Sequence, residues 1–223
     1  MAAYDTAFYD TIRDGTQRSA KALVPLLVAE LDLAPGDALI DVGCGEGWWA
    51  ETFADHGLET LGIDGAYVQS SPLGDRFIAH DLAWPLPQHL AGRFDVAVSL
   101  EVAEHLPPAR ATGFVDDLTA LAPIVVFSAA IPGQGGTGHI NEQWPSYWAA
   151  LFEGHGYAVS GALRFTIWDH TDIENWYRQN LLVAVRYDRV DQFPDLFESP
   201  VTHPIPIVHP VLYDHIRHSR RWT

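Results

Sequence analysis

Ala38-Leu-Ile-Asp41-Val-Gly43-Cys-Gly45-Glu-Gly47 is the stretch from which the rest of the chain is read. Ala38 to Val42 is a short apolar run with one acid, the pattern of a buried parallel strand carrying a polar side chain toward its carboxyl end. Three glycines follow at alternate positions. They admit positive φ and remove every Cβ, so backbone N–H groups can approach a ligand closely as the chain turns into a helix, expected over Glu46 to His56. A dinucleotide fingerprint would space its glycines Gly-x-Gly-x-x-Gly and hold a pyrophosphate at the helix start. Here the spacing is Gly-x-Gly-x-Gly, an acid stands two residues ahead, and Glu46 sits where an anion would be received. An acid at that point suits an amine or a hydroxyl better than a diphosphate.

Outward from this turn the pattern alternates. Glu59 to Ile63 reads as a second strand ending in Asp64-Gly65, Arg76 to Ala79 as a third closed by His80-Asp81-Leu82, and Asp95 to Leu100 as a fourth. A helix over Ala109 to Leu121 and a fifth strand over Ile124 to Ala130 continue the order, which implies a parallel sheet with right-handed crossovers and a cleft at the strand carboxyl ends. The glycine-rich segment from Pro132 to Gly138 lies at that same edge, where a mobile loop could serve as a lid. A helix over Pro145 to Glu153, a sixth strand over Tyr157 to Phe165 and a seventh over Asn180 to Tyr187 complete the set. The last two should pair antiparallel across the short connector Trp168 to Tyr177. Ahead of the first strand, a short helix, a break at Gly15 and a second helix over Thr16 to Leu31, kinked at Pro25, are expected.

The 223 residues suit one large domain: cap helices over 1–36, a core over 37–187, and a Pro- and His-rich tail over 188–223 to which no regular structure is assigned. Half the chain is hydrophobic, ample for a core. A single cysteine excludes an internal disulfide. Neither a leader-like start nor an apolar run near the roughly 20 residues of a membrane span is present, so the expectation is a soluble, cytoplasmic protein with no membrane partner. A net charge of −16 with 13 Lys and Arg disfavours a nucleic-acid partner, since such binding rests on basic neutralisation, and points to a small-molecule substrate. The oligomeric state is left open.

The run Asp41-Val-Gly-Cys-Gly-Glu-Gly47 resembles the first motif of class I S-adenosylmethionine (SAM) dependent methyltransferases. The resemblance covers about residues 15 to 187 and implies a seven-stranded Rossmann-like sheet, mostly parallel with its last strand antiparallel, flanked by helices. It implies that the glycine turn lies beneath the methionine part of SAM, and that Asp64, 23 residues past Asp41, accepts from the two ribose hydroxyls. Asp81 and the N–H of Leu82 would take adenine, unless Asp81 merely caps its turn; Tyr67 would lie against adenine or simply pack. The cofactor set so implied is Asp41, Gly43, Cys44, Gly45 and Trp49 around the turn, with Asp64, Gly65, His80, Asp81, Leu82 and Leu100 beyond it. Of the neighbours Trp48 and Trp49, at most one is expected to line the pocket. Tyr4, Tyr9, Arg18 and Ser19 stand where cap helices touch ligand in this family, but ordinary surface roles are favoured for them.

A second constellation follows the fourth strand: Glu101-Val-Ala-Glu104-His105, stopped by Pro107-Pro108. One helical turn would put both carboxylates and the imidazole on one face toward the cleft, where the like charges repel unless a proton or cation sits among them. The run looks like the Glu-x-x-Glu-His signature of the O-methyltransferases of ubiquinone biosynthesis and of those that modify the terminal 2′-hydroxyl of small RNAs. That likeness implies Mg²⁺ or Mn²⁺ held by Glu101, Glu104 and His105, with His139 as a fourth ligand. Without metal, the glutamate caps the turn and His105 or His139 is the best general base. Asn141, Glu142, Gln143, Trp144, Tyr147 and Trp148 would contact substrate beneath a closed lid, and His80, His203, His209, His215 and His218 are expected as surface or core residues. The leading expectation is therefore an O-methyltransferase acting on vicinal hydroxyls of a sugar, nucleoside or catechol. Its rivals are a metal-free N- or C-methyltransferase, a SAM-binding subunit without chemistry, and a Rossmann oxidoreductase.

Overall fold

The computed structural model describes residues 6–68, 71–198 and 204–219; Tyr4, His203 and the side chain of His218 fall outside the described part. Seven strands form one sheet: β1 (Ala38–Val42), β2 (Glu59–Asp64), β3 (Phe77–Ala79), β4 (Val96–Leu100), β5 (Ile124–Ser128), β6 (Tyr157–Ser160) and β7 (Leu182–Arg186). Their order is β3-β2-β1-β4-β5-β7-β6, with every pair parallel except the two that β7 makes, to β5 and to β6. This is the Rossmann-like arrangement expected from the sequence. The strand order reverses between β1 and β4, and α/β sheets open a crevice at such a point.

The strands are apolar throughout because both faces are covered. On β4 and β5, Ala97, Val125 and Phe127 pack with Phe114, Leu118, Trp148 and Phe152 from α3 (Ala111–Leu121) and α4 (Pro145–Gly154). The alternate residues Val96, Val98, Ile124 and Val126 pack with Leu23, Leu27, Phe53 and Tyr177 from α1 (Thr6–Glu30), α2 (Trp48–Asp55) and α6 (Asn175–Asn180). The period of two along a strand thus assigns each side chain to one helical layer.

Several boundaries differ from expectation for identifiable reasons. α1 runs unbroken through Gly15 and Pro25. A Cβ at Gly15 would come within 2.7 Å of Glu174 Oε1, so this glycine serves a close approach between helices. α2 begins only at Trp48, since Gly47 holds φ at +93°. β6 stops at Ser160, whose hydroxyl accepts from the Ala162 N–H and starts α5 (Ala162–Thr166) where strand had been expected. The connector before β7 contains α6. The tail carries α7 (Pro194–Phe197) and α8 (Pro210–Ser219), the second anchored by buried Leu212. No helix among the described residues is long and apolar enough to cross a membrane.

Candidate active site

A cleft of about 780 Å³ opens at the carboxyl ends of β1, β2 and β4, roofed by α1 and α6. Gly43 and Gly45 hold φ at +81° and +51°. A Cβ on Gly43 would lie 2.3 Å from Val102 Cγ2, and one on Gly45 would lie 3.0 Å from the Tyr9 ring, so bare main chain is the only backbone that fits. Asp64, 4% exposed at the end of β2, accepts from the Gly45 N–H (2.7 Å), the Gly65 N–H (2.6 Å) and the Tyr67 hydroxyl. Burial pushes its pKa up against those donors. The Glu46 carboxylate takes Arg13 from α1 through two bonds of 2.6 and 2.9 Å, and Trp48 Nε1 at 3.0 Å.

Gly43, Cys44, Gly45, Trp49, Asp64, Gly65, Asp81, Leu82 and Leu100 all line the cleft. Asp41 and His80 are not among the lining residues. His80 turns its ring to the Pro85 carbonyl, 3.1 Å away. Asp81 accepts from the Ala83 N–H at 3.0 Å, capping its turn while still facing the cleft. Trp48 and Trp49 both line it, against the expectation of one: Trp49 packs edge-on to Tyr177 while Trp48 folds back onto Glu46. Tyr9 lines the cleft, whereas Ser19 is core and receives the Glu174 N–H.

Asp41 lies behind the turn, 2% exposed, with Oδ2 unpartnered. Burial, then the Asp64 charge, pushes its pKa up to about 8, opposed by the Ala50 N–H. The folded state therefore holds a proton that the unfolded state releases near the ordinary carboxylate pKa, and stability from this group is lost as pH rises toward about 8. Asp41→Asn is expected to flatten the fall of the urea midpoint across that window; an unchanged slope would place the titration elsewhere.

The second constellation does not form the single helical face expected. Glu101 sits alone at φ +56°, a left-handed conformation costly for a residue with a side chain, and a 3₁₀ turn over Ala103–His105 follows. The Glu101 carboxylate accepts from Gln134 Nε2 (3.0 Å) and Asn180 Nδ2 (3.0 and 3.2 Å), and the Glu104 carboxyl lies close enough to feel its charge. Glu104 is fully buried and neither carboxylate oxygen has a hydrogen-bond partner. Burial, then the Glu101 charge, drives its pKa well up.

The Ile140 and Asn141 N–H groups bond the Glu104 carbonyl oxygen (2.9 and 3.0 Å), which draws His139 over the turn. Ligand atoms of Glu104, His105 and His139 all lie within 4.8 Å of one another; Glu101 is outside that set. The two imidazoles stand 4.8 Å apart at 83°. Burial, with His139 adding, pushes the His105 pKa down to about 4, so that ring is neutral at pH 7. Glu142, itself gripped by the Gly133 and Gly135 N–H groups, lies 3.0 Å from His139 Nδ1. Of the residues expected beneath a lid, Asn141, Glu142, Gln143, Trp144, Tyr147 and Trp148 stay out of the cleft; Gln134 to Thr137 line it instead.

A family model described as a methyltransferase domain matches residues 12–162. The chain belongs to the methyltransferase-domain family. Curated relatives, ubiquinone biosynthesis O-methyltransferases of Psychrobacter cryohalolentis and Psychrobacter arcticus, are each 35% identical over 89 residues, 35% of this chain and 34% of theirs. The chain's match thus spans about a third of their length. Among solved structures, magnesium protoporphyrin IX methyltransferase of Synechocystis PCC 6803 with bound SAM is 24% identical with a TM-score of 0.54, covering 78% of this chain and 81% of that one. A SAM-dependent methyltransferase of Archaeoglobus fulgidus is 16% identical with a TM-score of 0.56, covering 81% and 99%. Both likenesses are of fold. The family match gives this chain a methyltransferase domain, and the two structures share its fold.

Sequence reasoning missed four contributors to the methyltransferase cleft. Arg13 is the one Lys or Arg lining it among the described residues, whereas Arg18, the arginine singled out in α1, pairs with Glu174 instead. Trp176 and Tyr177 come from a helix read as connector, and Gln134 from the glycine-rich loop. Helical spacing in α1 places Tyr9, Arg13 and Thr16 on one face, the signal that was available for the first of these.

Proposed function

We propose that this methyltransferase transfers the SAM methyl group to a hydroxyl oxygen of a small polyhydroxylated acceptor, a sugar, nucleoside or catechol-like molecule, with help from a divalent cation. The observation that carries the proposal is the Glu104 carboxylate: buried, unpartnered, and beside two imidazoles at the cleft wall. A buried carboxylate in that state is costly, and a cation relieves the cost. The donors fit one. His105 is neutral as a ligand must be, and Glu142 can accept the His139 Nδ1 proton, turning Nε2 outward as a ligand's second carboxylate does. Glu104, His105 and His139 would hold it; two imidazoles with one carboxylate favour Mn²⁺ over Mg²⁺. Glu101 is kept for substrate or for charge balance.

SAM supplies the activated methyl, and a cation would hold adjacent oxygens and lower the pKa of the attacking hydroxyl. The chain's own residues bind and align. Asp64 accepts from the ribose, the Gly43 to Gly45 turn receives the amino-acid end, and Arg13 with Glu46 offers that zwitterion one charge of each sign. Alignment of acceptor and methyl in line contributes much of the rate. An uncharged acceptor suits a cleft in which Arg13, the one Lys or Arg lining it among the described residues, is given to the cofactor.

A metal-free route is favoured by one contact, the Glu142–His139 pair, which equally makes His139 Nε2 a general base. Release of S-adenosylhomocysteine (SAH) should be followed with SAM and 3,4-dihydroxybenzoate, a ribonucleoside or a free sugar, with and without EDTA. Loss of turnover on chelation, restored by Mn²⁺, is the expected result. Turnover indifferent to EDTA selects the base, and methylation of amines alone sinks O-transfer altogether.

A further inference from the structure

α6 has two buried amides at its carboxyl end facing opposite neighbours. Asn180, 1% exposed, donates Nδ2 to both oxygens of Glu101 and to Gln134 Oε1 (3.0 Å). Gln179, fully buried, faces the C-terminal segment: its Nε2 donates to the Ile207 carbonyl oxygen (2.6 Å) and its Oε1 accepts the His209 N–H. One side chain thus clamps the backbone of the tail at two points, two residues apart.

The clamp is reinforced on both flanks. Arg164, 0% exposed, donates Nη1 to the Gln179 carbonyl oxygen (3.4 Å) and to the Ile205 carbonyl oxygen (3.2 Å), tying α6 to the tail directly. It makes no ion pair among the described residues, and burial lowers its pKa to about 10. A buried guanidinium without a counterion is costly, so its place here has to be held by what it joins. His209 is 4% exposed, with Nε2 2.9 Å from the Trp168 carbonyl oxygen and Nδ1 accepting the Val211 N–H at 3.2 Å. Residues 204–209 are therefore fastened to the back of α6, while its front holds a carboxylate at the cleft. The carboxylate it holds is the strained one: Glu101 keeps φ +56° with its N–H on Ser128, and such strain persists only where surroundings over-determine it.

We propose that Asn180 positions the Glu101 carboxylate in the cleft, and that the C-terminal segment docked behind the same helix sets where Asn180 stands. This rests on the cleft being the site of methyl transfer. Neither Gln179 nor Asn180 lines the cleft, so each acts through Glu101 rather than on substrate. The tail then belongs to the catalytic apparatus although none of its described residues lines the cleft.

The test is a pair of double-mutant cycles on the full chain, read as urea midpoints: Asn180→Ala with Glu101→Gln, and Gln179→Met with Glu101→Gln. Gln179 and Glu101 share no hydrogen bond, and unlinked sites add. The expected result is non-additivity in both, with the Glu101→Gln shift falling to less than about half its single-variant size once Gln179 is changed. Additivity in the Gln179 cycle alone makes the tail a structural strap and overturns the relay; additivity in both overturns the positioning role too. Should Gln179→Met fail to fold, Gln179→Glu keeps the acceptor for His209 and loses the donor to Ile207, and replaces it. For any acceptor that is turned over, Gln179→Met is expected to lower kcat while KM for SAM stays within about twofold, which a strap alone would not separate. The cycles decide the inference even for a protein that methylates none of the acceptors above, so the two failures are distinct.

Discussion

Asp64→Ala is expected to weaken SAM and SAH binding about a hundredfold or more in calorimetry, the largest loss for any single residue at the glycine turn. Hydrogen bonds to a charged group contribute roughly 1.5–3 kcal/mol each, and a ribose presents two to one carboxylate. Asp64 is held ready for them: β2 delivers it to the crevice, the Gly45 and Gly65 N–H groups fix its two oxygens, and it is 4% exposed, so the bonds form away from water. The Tyr67 hydroxyl already occupies Oδ1. A ribose bound there as proposed would displace it, so Tyr67→Phe should leave affinity unchanged or raised. Asp81→Ala, at an exposed acid whose Oδ1 is committed to Ala83, should cost far less than Asp64→Ala. An Asp64→Ala protein that is folded by circular dichroism and binds SAH within about threefold of wild type would remove the ribose from this strand end.

The fold was legible because its signals are local and repeated. Apolar five-residue runs with an acid at one end, separated by helical periods, admit few topologies, and Gly43, Gly45 and Gly47 mark the switch point by a conformation that side chains disfavour. The glycine at position 15 misled for the opposite reason: it serves contact with Glu174, 159 residues away, and spacing along the chain carries no trace of that. The site divided the same way. The turn could be read from one motif, Asp64 from a strand end 23 residues past Asp41, and the acids and histidine of 101–105 from another run, but the left-handed backbone at Glu101 that breaks the expected helical turn could not. Its partners come from Gln134 and Asn180, two elements brought in by the sheet, and Arg13 reaches Glu46 only because α1 is one helix instead of two.

Glu104→Met should make the metal-free protein more stable while removing turnover. The side chain is fully buried with neither oxygen bonded, and leaving such a group unmet costs about 1–3 kcal/mol, more while it is charged. Methionine fills similar volume without that cost. Because burial and Glu101 raise the Glu104 pKa, the folded state keeps a proton that the unfolded state gives up in the ordinary carboxylate range. Its stability contribution is present below that range and is lost as pH rises, so the advantage of Glu104→Met should widen as pH rises above the ordinary carboxylate range. A cation that binds the folded protein stabilises it by mass action, about 2.7 kcal/mol at a hundred times its dissociation constant. Excess Mn²⁺ should therefore raise the wild-type urea midpoint and leave that of Glu104→Met unmoved, while turnover falls by about two orders of magnitude or more in the variant. A wild type indifferent to Mn²⁺, together with a Glu104→Met protein that is less stable at every pH, would mean that the buried carboxyl is held as a neutral acid against Glu101, and the role of the histidines would pass to proton transfer alone.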